Sequence, residues 1–195
     1  NITLVDIERE FNKDLANLVD GLTKISGIEF GTRKEKQAGN FMKMLLSVAK
    51  DIRVIIIKFA DRMHNMKTIT HMPRMKQRRI AIETRDVYSP LAHRLGMASV
   101  KSQLDDLAFR VLNKDEYDSI ASKLKTTNKQ RNRLINSYID PISEGLEKYK
   151  MDCNIFGRSK SFYSIYGKML NRNKAFEDIY DIYAIRIIVD KIEDC

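Results

Sequence analysis

The sequence predicts a mainly α chain that turns into an α+β unit near its end, and three observations predict it. Apolar residues recur at helical spacing through most of the first 150 positions. Only 8 Gly and 3 Pro interrupt 195 residues that are 43% hydrophobic, a balance that favours packed helices and excludes a disordered polymer. After Lys150 the pattern changes to short strands, over 152–156 and 182–190, around a helix over 161–170.

Taken in order, Thr3 with Asp6 three residues on marks a helix start, and Ile7, Phe11, Leu15, Leu18, Val19 and Leu22 continue an apolar stripe, so residues 4–20 read as one core-packing helix. The stretch from Gly27 to Gly39 carries five charges and reads as an exposed loop, followed by a helix over 40–49. Residues 74–95 read as a helix bent near Pro90 and ended by Gly96, and Ser99 then caps the next, striped by Val100, Leu104, Leu107, Ala108 and Val111. Asp105 and Asp106 are adjacent and so point apart on that helix, which favours solvation or capping over paired-carboxylate chemistry. Asn113 and Glu116 open a helix to about Lys125. A long helix over 129–150 turns Leu134, Ile135, Tyr138, Ile139, Ile142, Leu146 and Tyr149 inward, with the cluster from Lys129 to Arg133 as a solvated face.

The formal net charge of +9 calls for polyanionic partners, whether nucleic acid or nucleotide phosphates, and charge alone does not choose between them. The apolar run Val54-Ile55-Ile56-Ile57 is too short to span a bilayer and no basic-then-apolar leader opens the chain, so the expectation is a cytoplasmic protein with no membrane partner. Cys153 and Cys195 form no disulfide framework, which fits a reducing compartment. The chain opens at Asn1 without an initiator Met and ends directly after a strand, and the expectation is a fragment of a longer protein.

Two stretches carry chemistry. Over 51–69, with Asp51 as a cap, helical spacing puts Ile56, Phe59, Ala60, Met63 and Met66 on one side and Lys58, Asp61, Arg62, Asn65 and Thr68 on the other. Asp61 and Asn65 stack one turn apart, as a carboxylate metal ligand beside an amide would, although spacing alone favours an ordinary amphipathic helix with a wet polar face. His64 and His71 are given no ligand role. In the second stretch, Gly157 allows close backbone approach to a ligand, Arg158 can fork two phosphate oxygens and Lys160 adds a point charge. Ser164 and Lys168 share one helical face, and Asp181 offers Mg²⁺ an oxygen ligand. Against that stands a basic helix on a sheet with solvated charges, since no glycine-rich P-loop is present.

The string from Gly157 to Met169, GRSKSFYSIYGKM, followed by YDIYAIRIIVD from Tyr180 to Asp190, resembles the start of the synthetase domain in long RelA/SpoT alarmone enzymes, where the pattern reads G-R-x-K-x-x-Y-S-I-x-x-K-M. Phe59 to Thr68, FADRMHNMKT, is similar to the A-D-R-x-H-N-M-x-T element of the same family's HD-type hydrolase domain, and Tyr88 to Gly96 with Leu104 to Phe109 is similar to its connecting helices. The family's upstream His, its His-Asp pair and the acidic residues after that pair are absent.

The resemblance implies an all-α HD-type hydrolase portion with connecting helices over 1–112, then the start of an α+β nucleotidyltransferase-like synthetase domain over 113–195. It implies (p)ppGpp metabolism in the stringent response: transfer of pyrophosphate from ATP to the 3′-hydroxyl of GDP or GTP with Mg²⁺, and Mn²⁺-dependent hydrolysis of (p)ppGpp. By the same resemblance Asp181 binds Mg²⁺, Asp61 binds Mn²⁺, Arg158, Lys160, Ser164 and Lys168 hold phosphates, and Asn65 and Thr68 contact nucleotide. The ribosome is the partner of family domains outside this chain, and the isolated fragment is expected to be inactive. A basic helical nucleic-acid-binding or regulatory module without catalysis is the competing reading, which explains the charge but not Asp61 and Asp181.

Overall fold

The computed structural model describes residues 2–23, 39, 42, 43, 46, 48–124, 128–149, 151 and 153–194. Its chain divides into two compact units, residues 1–71 and 72–195.

In the first unit α1 (Leu4–Glu10) opens with the expected capping box: the Thr3 hydroxyl accepts the Asp6 N–H, and the Asp6 carboxylate accepts the Thr3 N–H. The single helix expected over 4–20 is in fact two. At Phe11 the backbone leaves the helical region, and Asn12 caps α2 (Lys13–Leu22) by accepting the Leu15 N–H at 2.8 Å. Asn competes well for such a position, and its cap ends the stripe at Phe11, which is 68% exposed. The expected 27–39 loop lies outside the described residues except for Gly39, which is helical, as are the described positions between 42 and 50.

The third helix, α3 (Arg53–Lys67), packs against α2 and buries Val54, Ile55, Phe59 and Met66. Its inward stripe is rotated from the expected one, leaving Ile56 and Ala60 exposed. Four successive apolar residues from 54 to 57 cannot all face inward on a helix, and the Lys58 ammonium, reaching the Leu22 carbonyl at 2.6 Å, pins the rotation that favours Val54 and Ile55. Asp51 accepts the Arg53 N–H at 2.9 Å and pairs with its guanidinium, but the N-cap itself is Ile52, with no side-chain cap.

The second unit begins with α4 (Arg74–Glu83), a π turn (Thr84–Tyr88) and α5 (Ser89–Arg94). The expected irregularity near Pro90 is thus a π turn just before it, which takes up a proline unable to donate an i→i−4 hydrogen bond. Gly96 stands at φ +73°, where a side chain would be strained. Helix α6 (Ala98–Leu112) starts without the expected Ser99 cap, and α7 (Lys114–Leu124) and α8 (Asn128–Lys148) follow. Strands β1 (Cys153–Ser159) and β2 (Tyr183–Val189) pair antiparallel with Gly157 opposite Ile185, and α9 (Phe162–Arg172) lies between them in sequence. A core of Phe109, Ile120, Ile165, Phe176 and Ile179 ties α6, α7 and α9 together.

Helix α8 packs on the sheet, but not with the whole stripe the sequence offers: Ile135 is buried, whereas Tyr138 and Tyr149 are exposed. Two strands cover only a narrow strip of a 21-residue helix, so Leu134 and Tyr138 stay exposed while Ile139, Ile142 and Leu146 are half-buried. No described helix is long and apolar enough to cross a membrane.

Candidate active site

The second unit brings three of the sequence-predicted residues into one cluster. Lys160 leaves β1 with its N–H bonded to the Ile182 carbonyl at 2.7 Å, which ties the end of β1 to the residue before β2. Its ammonium meets Asp181 Oδ2 at 2.5 Å and the Asp181 carbonyl at 3.1 Å. Lys168, on the second turn of α9, reaches the same Oδ2. Asp181 therefore pairs with these two lysines and not with Arg186, which stands on β2 opposite Phe156.

The two ammoniums hold the Asp181 carboxyl well below the usual carboxylate range, Lys160 contributing most. Asp181 in turn raises Lys168, whereas burial lowers Lys160, and the neighbouring Lys168 charge adds to that lowering. Two cations against one anion leave a surplus positive charge, and Oδ1 of Asp181 stays open because both lysines use Oδ2. The Asp181 side chain is 55% exposed while those of Lys160 and Lys168 are 20% and 27% exposed, so the carboxylate is the solvent side of the cluster.

Ser164 lies one turn before Lys168, with its hydroxyl taking a hydrogen bond from Ser161 at 2.8 Å. Arg158 stands exposed on β1 opposite Ala184. Gly157 corrects the expectation of close ligand approach. A Cβ there would lie 1.9 Å from Cγ2 of Ile135 and 3.0 Å from Cδ1 of Ile139, so the missing side chain admits α8, not a ligand. Strand alternation then puts Arg158 on the sheet face away from α8.

One contributor escaped the motif reading. The Asp106 carboxylate on α6 accepts the N–H groups of Tyr163 at 2.8 Å and Phe162 at 3.3 Å, capping α9. Burial pushes this carboxyl up to about 6, while those two N–H groups pull it down and the Asp105 charge adds to the rise. Asp105 itself is buried, held by Ser89 and by Lys101 at 2.5 Å. The adjacent carboxylates do diverge, as their spacing required: Asp106 takes the capping role that was open to it, whereas Asp105 is neither solvated nor a cap, because Ser89 and Lys101 hold it in the interior.

In the first unit Asp61 is exposed on α3, Asn65 is half-buried one turn on, and Thr68 bonds its hydroxyl to the His64 carbonyl at 3.0 Å. No hydrogen bond or ion pair engages Asp61 among the described residues, and these hold no group of three or more His, Cys, Asp or Glu able to bind a metal.

Set against known proteins, residues 2–98 match the HD domain and residues 157–195 match the region found in RelA/SpoT proteins. The chain is 44% identical over 194 residues to a guanosine-3′,5′-bis(diphosphate) 3′-pyrophosphohydrolase of Spiroplasma citri, covering 99% of this chain and 26% of that protein. It is 42% identical to the bifunctional (p)ppGpp synthase/hydrolase SpoT of Escherichia coli K12, over 99% of this chain and 28% of that protein. With a GTP pyrophosphokinase of Streptomyces coelicolor it shares 40% identity over 98% of this chain and 22% of that protein. The chain thus spans about a quarter of the length of these relatives. An HD domain followed by a RelA/SpoT region, with 40–44% identity running through nearly the whole chain to proteins named for (p)ppGpp hydrolysis, for GTP pyrophosphokinase activity or, in SpoT, for both, makes this chain a member of the RelA/SpoT family.

Proposed function

We propose that this chain contributes two half-built sites to an enzyme of (p)ppGpp metabolism: a hydrolase portion with connecting helices over 1–112, and a synthetase portion over 113–195 that serves pyrophosphate transfer from ATP to the 3′-hydroxyl of GDP or GTP. The observation that carries it is the convergence of Lys160 and Lys168 on Asp181, with Ser164 one turn away. Phosphoryl chemistry asks a protein mainly to position its substrates and offset their charge, and this cluster holds both signs of charge ready for that.

An incoming phosphate competes with Asp181 for the two ammoniums, and it is the exposed carboxylate that gives way to it. Ser164 adds a hydroxyl and Arg158 a guanidinium that can hold two oxygens at once. Asp181, released from its lysines, presents both oxygens outward. One carboxylate fits Mg²⁺, which completes its coordination with substrate phosphates and water, and which, when bound, would shield the charge developing on the transferred group. On α3, Asp61 fits as one ligand for the Mn²⁺ of the hydrolytic reaction, with Asn65 and Thr68 toward the nucleotide; the described residues supply only that one carboxylate. Cytoplasmic location and ribosome association belong to the same reading of the whole protein.

The test is steady-state kinetics on the full-length protein with Lys160→Ala and Lys168→Ala. Losing a charge-assisted phosphate contact is expected to raise the ATP or guanine-nucleotide KM of synthesis by roughly tenfold while hydrolysis keeps its rate. Unchanged nucleotide KM in both folded variants would overturn the phosphate role.

A further inference from the structure

Helix α9 is held at its N-terminus from a different helix. Its first three N–H groups have no acceptor within the helix, and each finds one outside: Phe162 and Tyr163 in the Asp106 carboxylate, Ser164 in the Ser161 hydroxyl at 3.2 Å. Around that cap the rings interlock. Phe109, three residues after Asp106 on α6, stacks on Tyr166 with centroids 4.8 Å apart and meets Tyr163 edge-on at 5.8 Å, while Tyr117 of α7 lies 4.9 Å from Phe162. Ring packing sets the rotation of α9, and the cap sets the residue at which it starts.

Two consequences follow for the site. The α9 N-terminus is filled by a carboxylate, so a phosphate cannot bind there and must be held by the side chains of Arg158, Lys160, Ser164 and Lys168. A slip of α9 along its axis would also carry Ser164 and Lys168 away from Lys160 and Asp181, which are anchored to the strands and not to α9.

We propose that Asp106 is a positioning residue for the phosphate-binding face of α9, fixing through the N–H groups of Phe162 and Tyr163 the register at which Ser164 and Lys168 meet Lys160 and Asp181. This rests on the phosphate-binding reading of that face. Asp106 touches no reacting atom in this scheme and acts only through the helix it caps.

The experiment is steady-state synthesis by full-length Asp106→Ala, Asp106→Asn, Ser161→Ala and Lys168→Ala proteins, each assayed well below its own melting midpoint. Asp106→Ala is expected to raise the nucleotide KM about fivefold to tenfold, because the face is misplaced in the ground state as well as in the transition state. Asp106→Asn keeps an acceptor oxygen for the Tyr163 N–H and should return KM to within about twofold of wild type. Mere destabilisation would lower the folded fraction and leave KM where it was. If Asp106→Ala fails to fold, Ser161→Ala removes the remaining part of the same cap and is expected to shift KM the same way by about twofold to threefold. Wild-type KM in a folded Asp106→Ala protein, or in Ser161→Ala where that protein cannot be had, overturns the positioning role, as does an Asn variant as impaired as the Ala variant. Wild-type KM in Lys168→Ala overturns instead the phosphate reading beneath it.

Discussion

Helices α3 and α9 each stack polar side chains one turn apart, yet they treat their acidic partners in opposite ways. The carboxylate that serves α9 is Asp181, 13 residues beyond Lys168, and it is already neutralised by two lysines. Asp61 on α3 stands exposed with no ion pair among the described residues. Helix α3 is the better buried of the two, with Val54, Ile55, Phe59 and Met66 inside, whereas α9 fully buries only Ile165. Depth of burial therefore does not measure how complete a site is. The α9 cluster closes over about 25 residues because β1, α9 and the entry to β2 fold back on one another. The α3 motif offers one ligand and an amide, and a metal site needs further donors to join them.

The sharpest way to separate the two regions is Asp61→Ala in the full-length protein. Removal of a metal carboxylate is expected to lower Mn²⁺-dependent (p)ppGpp hydrolysis by ~100-fold or more, with synthesis within about twofold of wild type. Hydrolysis near the wild-type rate would return Asp61 to the solvated face of an ordinary helix.

A packing change comes next. Gly157→Ala places a methyl against Ile135, which is 3% exposed and cannot withdraw freely. Overpacking of this kind costs about 1–3 kcal/mol, read as a lower melting midpoint, and Ile135→Leu, which lacks the Cγ2 branch, should recover part of it. An Ala variant as stable as wild type would show that α8 does not press on the strand there.

Asp106 supplies a smaller, pH-dependent term. Burial raises its folded pKa from the ordinary carboxylate range to about 6, so the protonated form is the better tolerated in the fold. The associated stability is fully present below about pH 4 and is lost as pH rises through about 6. Between pH 5 and pH 7.5 wild type should lose about 1 kcal/mol relative to Asp106→Asn, a difference obtained from paired denaturation curves. Asp6, Asp51, Asp86, Glu177 and Asp181 are lowered instead, so their contributions are lost at more acidic pH and cancel in the paired comparison. A pH-independent difference would remove burial as the cause.

The smallest effect concerns the first unit alone. Asn12→Ala removes the α2 cap and should cost about 1 kcal/mol, with Asn12→Ser nearly neutral. Equal stability of all three proteins would show that the helix break at Phe11 does not depend on the cap.

Much of this was legible in the residues themselves. The capping box of Thr3 and Asp6, the strand–helix–strand change after Lys150, and the shared face of Ser164 and Lys168 are local patterns, and local patterns survive folding. Four features were not legible because each depends on a partner distant in sequence or on a competition between neighbours. Gly157 is small for the sake of Ile135, 22 positions away, so reading it against a ligand alone misplaced its role. Asn12 and the apolar run after Val54 set local alternatives against a helical period that ran straight through them. Asp106 was open to a capping role, but the helix it caps begins beside Tyr163, 57 residues on, and nothing in its own helix names that partner.

Asp181 is where the synthetase reading is most exposed to test. Asp181→Asn keeps the size of the side chain and removes the anion that two lysines and a bound Mg²⁺ would share. Synthesis by the folded full-length variant, measured across a Mg²⁺ titration with thermal melts alongside, is expected to show kcat reduced by ~100-fold with a shifted Mg²⁺ dependence. An Asp181→Asn enzyme with wild-type kcat and Mg²⁺ dependence would contradict the metal role and leave Asp181 as no more than the acid that holds Lys160 and Lys168 in place.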